Sequence, residues 1–237
     1  MTKYKAVIFD LFGTLADNFS LEGYNDALTQ MAVALSLLPE DFKEAWFATS
    51  KDRNTGDSQN CTSDVEYICR VMGAFPQAGD IELAVETRLN YIRLVMTPQP
   101  HAVETLSSLK TAGYKIGLLS NCSHEIPVIW PESPLAPFIE APVFSCSVNM
   151  RKPDPGIYEL TAKRLGCRPD QCLYVGDGGS QELSAALAMG MYPVLIRPDA
   201  ESTERHLSNR EKWDGPEITT LEEILIILRD GSDSILP

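Results

Sequence analysis

The segment Ala6-Val7-Ile8-Phe9 is an unbroken apolar run, closed by Asp10 and a Gly13-Thr14 turn. An apolar run with no polar alternation suits a strand covered on both faces, as in a parallel sheet. A carboxylate at the carboxyl end of such a strand stands where open α/β sheets bind ligands. Burying it is expensive unless a cation or hydrogen-bond donors offset it. Taken alone, Asp10 has a second reading, as the cap of the turn that follows.

The pattern then changes to helical spacing. Leu21 to Leu37 carries Leu21, Tyr24, Leu28, Met31 and Leu35 on one stripe. Pro39 opens a second helix with Phe42, Ala45, Trp46 and Phe47. A polar loop is expected over 51–60. A third helix is predicted from Ser63 to Met72, with Ser63-Asp64-Val65-Glu66 as a capping box. A fourth runs from about Ile81 to Val95.

From Thr97 strands and helices alternate. Strands are predicted at Lys115–Leu119, Val143–Ser145, Cys172–Gly176 and Tyr192–Ile196, with helices at 101–112, 155–166, 181–189 and 221–228. A polar loop is expected over 198–215. Such alternation predicts an α/β fold, a Rossmann-like doubly wound parallel sheet. The all-helical stretch 17–96, inserted after the first strand, then forms a cap over the carboxyl edge. Residues 1–16 and 97–237 form the core.

Lys and Arg number 20 against 33 Asp and Glu, a net charge of -13, which argues against nucleic acid or an anionic membrane as partner. The six cysteines form no C-x-x-C pair and the three histidines are scattered, so no zinc site is expected. No signal peptide or membrane-spanning run is evident. The expectation is a cytoplasmic protein with reduced thiols, monomeric or a homodimer, acting on a small molecule.

Polar residues follow four of the predicted strands: Asp10, Ser120-Asn121, Lys152, and Asp177 through Glu182. Each alone reads as a cap, a turn or a solvated lysine. Parallel strands emit their carboxyl ends on one edge, so the four sites can converge. Together they suit phosphoryl transfer through an aspartate, already ionised at neutral pH. Asp10 and Asp177 would share Mg²⁺, a hard cation that prefers oxygen ligands. Lys152 would supply a second positive charge, and Ser120, Asn121 and backbone N–H groups would hold phosphate oxygens.

The set Asp10-Leu11-Phe12-Gly13-Thr14, Leu119-Ser120-Asn121, Lys152-Pro153 and Gly176-Asp177-Gly178-Gly179-Ser180-Gln181-Glu182 resembles the four motifs of the haloacid dehalogenase superfamily. The helical insert is similar to the cap of its dehalogenase and phosphoglycolate phosphatase branch. The resemblance implies Asp10 as nucleophile, with Thr14 and Gly13 positioning the phosphate or its loop. Ser120 and Asn121 would meet the transferred group, and Lys152 would stabilise Asp10 and the phosphoryl oxygens. Metal ligands would be Asp10, Asp177, the Phe12 carbonyl and Glu182, the last directly or from an outer shell.

Phe12 departs from the phosphatase pattern, which has a proton-donating aspartate there. The substitution removes general acid–base help worth about 10²–10⁴-fold. The dehalogenases resemble the Phe12 pattern more closely and work without metal, whereas Gly176-Asp177 looks metal-binding. They also use a cap arginine against the substrate carboxylate, for which Arg53 is the candidate, against a solvated loop arginine as the alternative. The leading expectation is Mg²⁺-dependent phosphate-ester hydrolysis. The alternatives are a metal-independent 2-haloacid dehalogenase and a phosphate-binding or interaction protein with little turnover.

Overall fold

The computed structural model describes residues 3–16, 20–55, 59–197 and 210–230. Gly56, Asp57 and Ser58 of the predicted 51–60 loop lie outside these, as does the predicted 198–215 loop up to residue 209.

Six strands form one parallel sheet: β1 (Ala6–Phe9), β2 (Lys115–Ser120), β3 (Ala141–Phe144), β4 (Cys172–Gly176), β5 (Tyr192–Ile196) and β6 (Glu217–Ile218). Their order is β3-β2-β1-β4-β5-β6. β1 is central, with Phe9 in register with Leu118 of β2 and Val175 of β4. The residues after β1, β2 and β4 therefore leave the sheet side by side, at the point where the strand order reverses. The apolar run has its predicted cause. Val7 and Phe9 enter one core layer and Ala6 and Ile8 the other, all four fully buried. Burial of each large side chain contributes roughly 1.5–3 kcal/mol. β6 has no counterpart in the sequence reading, because two residues carry no readable period.

Five helices are described between residues 21 and 95: α1 (Leu21–Ala34), α2 (Pro39–Ala48), α3 (Ser50–Asn54), α4 (Cys61–Val71) and α5 (Ala78–Val95). α1 packs on α2 and α5, and α4 on α5. Ser20 caps α1 by accepting from Gly23 N, and Pro39 opens α2. The Trp46 indole donates to Tyr24 Oη at 2.8 Å, tying α2 to α1. Three expectations change. Asn60, not Ser63, caps α4, accepting from Ser63 N at 2.9 Å and from its hydroxyl at 3.1 Å. Part of the expected polar loop is helical, as α3. Leu21, placed on the apolar stripe, is 58% exposed at the first turn of α1, where the buried stripe starts only at Tyr24.

The remaining helices flank the sheet: α6 (Ala102–Thr111), α7 (Glu125–Ile129), α8 (Ser145–Val148), α9 (Pro155–Arg164), α10 (Glu182–Ala188) and α11 (Glu223–Asp230). α5 meets α7 and α3 meets α8. His124 Nδ1 and Asp64 Oδ2 lie 3.0 Å apart, linking α4 to the segment after β2. No helix among the described residues is long and apolar enough to cross a membrane.

Candidate active site

The loop after β1 wraps on itself. The Leu11 carbonyl accepts from the amides of Thr14, Leu15 and Ala16, and Asp10 N donates to Val175 O at 2.9 Å. Gly13 has φ +83°, and a Cβ there would stand 2.5 Å from Asp177 Oδ2. The glycine is required twice, by its backbone and by the approach of that carboxylate.

Asp10 is buried, and its Oδ1 accepts from Lys152 Nζ at 2.5 Å. Lys152 Nζ also donates to Glu182 Oε2 at 2.5 Å and to Tyr174 Oη at 3.3 Å. The lysine backbone is fixed by Asn121: Lys152 N donates to Asn121 Oδ1 at 2.8 Å, and Asn121 Nδ2 donates to Lys152 O at 3.1 Å. Asn121 Nδ2 further meets Ser180 Oγ at 3.3 Å. Asn121 is thereby a clamp that joins the ends of β2 and β4 to the Lys152 turn.

Glu182, the first residue of α10, is fully buried. Besides Lys152, it accepts from Tyr174 Oη at 2.7 Å and from Gly178 N at 3.0 Å. A Cβ on Gly176 would collide with Glu182 Oε1, so that glycine admits the carboxylate. Asp177 Oδ1 accepts from Gly179 N at 2.9 Å, and Oδ2 meets Arg210 Nη2 at 3.3 Å. Asp10, Asp177 and Glu182 bring one carboxylate oxygen each within 4.8 Å of one another. Ser120 and Thr14 are buried in the same region, and Thr14 Oγ1 has no partner among the described residues.

These groups hold one another's charge states. Burial raises Asp10 above the usual carboxylate range, Lys152 opposing and Asp177 adding to the shift. Burial likewise raises Glu182, and Lys152, 2.5 Å away, pulls it the other way. Lys152 itself stays charged. Burial works against its charge, but Asp10 and Glu182 raise it well above its ordinary value. Counted as ionised, the three carboxylates face two cations among the described residues, Lys152 and Arg210, which leaves a surplus negative charge.

A cavity of about 430 Å³ opens between these loops and the helices of residues 21–95. Phe12, Asn121 and Asp177 line one side, and Tyr24, Arg53 and Arg88 the other. Asp10 is not among the lining residues, although its neighbours are. Arg53 is no solvated loop arginine: it is 3% exposed, within α3. Its guanidinium carbon lies 3.8 Å from the Trp46 ring centroid, a cation–π stack, and Nη2 donates to the Trp46 carbonyl at 2.6 Å. Arg88 Nε donates to Glu125 Oε1 at 2.7 Å. Burial alone would raise Glu125, but Arg88, Arg53 and Ser123 hold it down to about 2. Arg53 Nε and Arg88 Nη1 are buried with no acceptor among the described residues. Arg53 and Arg88 line this wall, whereas Glu125 and the nearby Asp64 do not, so the wall itself is cationic. Lys51 is exposed, Trp46 is core, and Cys122 lines the cavity.

Arg88, Glu125, Tyr174 and Arg210 escaped the sequence reading. Arg88 sits on a helix whose apolar stripe hides it, and Tyr174 reads as one more apolar strand residue. Only the even spacing of Arg88 with Tyr91 and Ile92 on one helical face carried a usable signal.

A model of haloacid dehalogenase-like hydrolases matches residues 4–190. The chain is 26% identical to the glyceraldehyde 3-phosphate phosphatase of Methanothermobacter thermautotrophicus, over 93% of this chain and 96% of that one. It is 27% identical to (S)-2-haloacid dehalogenase 4A of Burkholderia cepacia, over 84% and 86%. Among solved structures, 2-haloacid dehalogenase from Pseudomonas syringae superposes with a TM-score of 0.70 at 20% identity, over 96% and 99% of the chains. A HAD phosphatase from Thermococcus onnurineus gives 0.65 at 22% identity, over the same shares. These structural likenesses establish the fold, with its parallel sheet. With the family match across most of its length, the chain belongs to the haloacid dehalogenase-like hydrolases.

Proposed function

We propose that the protein hydrolyses phosphate esters with good leaving groups, using Asp10 as nucleophile and Mg²⁺ as cofactor. The observation that carries this reading is Asp10 itself, buried at the end of β1 with Lys152 Nζ 2.5 Å from Oδ1 and Asp177 close by.

The residues present fit Mg²⁺. The surplus negative charge calls for a cation, and the missing Cβ of Gly13 lets Asp177 Oδ2 approach the Asp10 loop. Glu182 is saturated by Lys152, Tyr174 and Gly178 N, so it serves as the partner that orients Lys152. The ligands would be Asp10, Asp177 and the Phe12 backbone carbonyl. When bound, Mg²⁺ offsets the charge on the phosphoryl oxygens.

A carboxylate oxygen of Asp10 attacks phosphorus, and the bond from phosphorus to the leaving oxygen breaks, its electron pair going to that oxygen. Lys152 stabilises the charge that develops. Asn121 holds the Lys152 backbone in place, and the hydroxyls of Ser120 and Thr14 take phosphoryl oxygens. Phe12 supplies no proton, so the leaving group departs as an anion stable near neutral pH, as aryl and acyl phosphates allow. Water then attacks phosphorus, the bond to Asp10 breaks with its electron pair returning to the carboxylate, and inorganic phosphate leaves carrying the protons of that water.

One observation favours a second reading. Arg53 and Arg88 give the cavity that Phe12 lines a cationic wall, suited to a substrate carboxylate. A 2-haloacid needs such a wall, and its halide leaves without a proton. Phosphate and halide release, measured with and without chelator on wild type and Asp10→Asn, separate the readings. Phosphate release lost on both treatments supports the first. Halide release that survives chelator transfers the assignment to the second. No turnover on either panel leaves a binding role.

A further inference from the structure

Asp177 Oδ2 has two close neighbours. One is Gly13 of the Asp10 loop, where a Cβ would stand 2.5 Å away. The other is Arg210 Nη2, at 3.3 Å. The oxygen turned toward the nucleophile loop is thus the oxygen that a guanidinium already holds. Both side chains are withdrawn from solvent, Arg210 to 11% exposure and Asp177 to 6%. Arg210 Nε is buried with no acceptor among the described residues.

The backbone keeps Arg210 in place. Arg210 pairs with Gly179 in an antiparallel bridge, and Glu211 N donates to Gly178 O at 3.0 Å. The Glu211 carboxylate accepts from Leu183 N at 2.7 Å and from Ser184 N at 3.0 Å, at the start of α10. Residues 210 and 211 therefore form a strap across the Asp177 loop, with one residue on its carboxylate and the next on its helix.

We propose that Arg210 is a resident counter-ion that competes with Mg²⁺ for Asp177 and so sets the metal affinity of the site. The inference rests on the Mg²⁺ reading given above. The charges carry it further. Asp10, Asp177 and Glu182 are balanced to within one charge by Lys152 and Arg210. A divalent cation arriving beside both would turn the surplus positive, whereas its arrival with withdrawal of Arg210 leaves the cluster neutral. A guanidinium a few ångströms from a divalent ion in a dry site repels it strongly. Arg210 is a positioning and specificity residue here, and it takes no part in bond making.

The test is calorimetric titration of the full chain with MgCl₂, with no substrate present. Arg210→Gln binds Mg²⁺ at least about tenfold tighter than wild type, on the size of that repulsion. Its thermal midpoint starts lower and rises more on Mg²⁺ addition. Arg210→Lys, which keeps the charge, stays near wild type. A second measurement needs no folded variant: the side-chain ¹⁵N resonance of Arg210 in wild type shifts in step with Mg²⁺ saturation. Equal Mg²⁺ affinity in wild type and Arg210→Gln, or an unmoved Arg210 resonance at saturation, overturns the role of Arg210 and leaves the metal reading standing. Absence of Mg²⁺ binding in both proteins overturns the metal reading itself.

Discussion

Lys152 and Glu182 form a buried ion pair, Nζ to Oε2 at 2.5 Å, with side chains only 4% and 1% exposed. The same ammonium reaches Asp10 Oδ1, so Glu182 fixes the lysine that faces the proposed nucleophile. Glu182→Gln keeps the shape and removes the charge. The expected outcome is a kcat loss of about 10–100-fold, the usual cost of losing an orienting partner, with little change in KM. Steady-state kinetics checks this, with circular dichroism to show that the fold persists. An unchanged kcat contradicts the orienting role.

Phe12 lines the cavity and carries no transferable proton. Phe12→Asp should raise kcat/KM on alkyl phosphates by up to about 10²-fold, the lower end of what general acid–base help supplies. Activity on aryl phosphates should move far less, because their leaving groups need no proton. A parallel assay on the two substrate panels reads the difference. The same gain on both would refute this account of Phe12.

Arg53 lines the cavity that Phe12 also lines, and its buried Nε has no acceptor among the described residues. Loss of a charge-assisted hydrogen bond costs about 1.5–3 kcal/mol. Arg53→Met should therefore raise KM by roughly 10–100-fold for substrates that carry a carboxylate, and leave a plain aryl phosphate almost unaffected. Equal effects on both substrates would reduce Arg53 to a packing residue.

Much of this was legible. β4 and β5 have their predicted bounds, because short apolar runs bracketed by glycine, proline and polar residues leave few registers. Asp10, Ser120-Asn121 and Asp177 fall on one edge of the sheet because parallel strands require it, and Lys152 joins them from the turn after α8, held by Asn121. Part of what escaped depends on partners far apart in sequence. Arg88 meets Glu125, and Arg210 meets Asp177, across separations that no local period encodes. Arg53 was readable as a candidate for a substrate carboxylate or as a loop cation, but its stacking on Trp46 was not, since that follows from α3, a helix too short to announce itself.

Glu125 makes the pH dependence of stability specific. Burial opposes its charge, but Arg88 and Arg53 win and hold it near 2, against 4.5 for a free glutamate. A depressed carboxylate contributes stability that is complete above its unfolded value and is lost as pH falls toward its folded value. Denaturant titrations from pH 6 down should show the contribution shrinking between about 4.5 and 2. Glu125→Gln leaves Arg88 buried without its partner, and costs about 3–5 kcal/mol at pH 7. That penalty should narrow as the pH falls through the window. A penalty independent of pH would mean that Glu125 is not held ionised by the arginines.

The central claim is that Asp10 carries the transferred group. Acid-quenched single turnovers with an aryl phosphate and Mg²⁺, followed by peptide mass spectrometry, test it most directly. The account predicts one added phosphoryl mass on the peptide containing Asp10, appearing before free phosphate and absent from Asp10→Asn. Turnover at the wild-type rate with no adduct at Asp10, or retained turnover in Asp10→Asn, would contradict it.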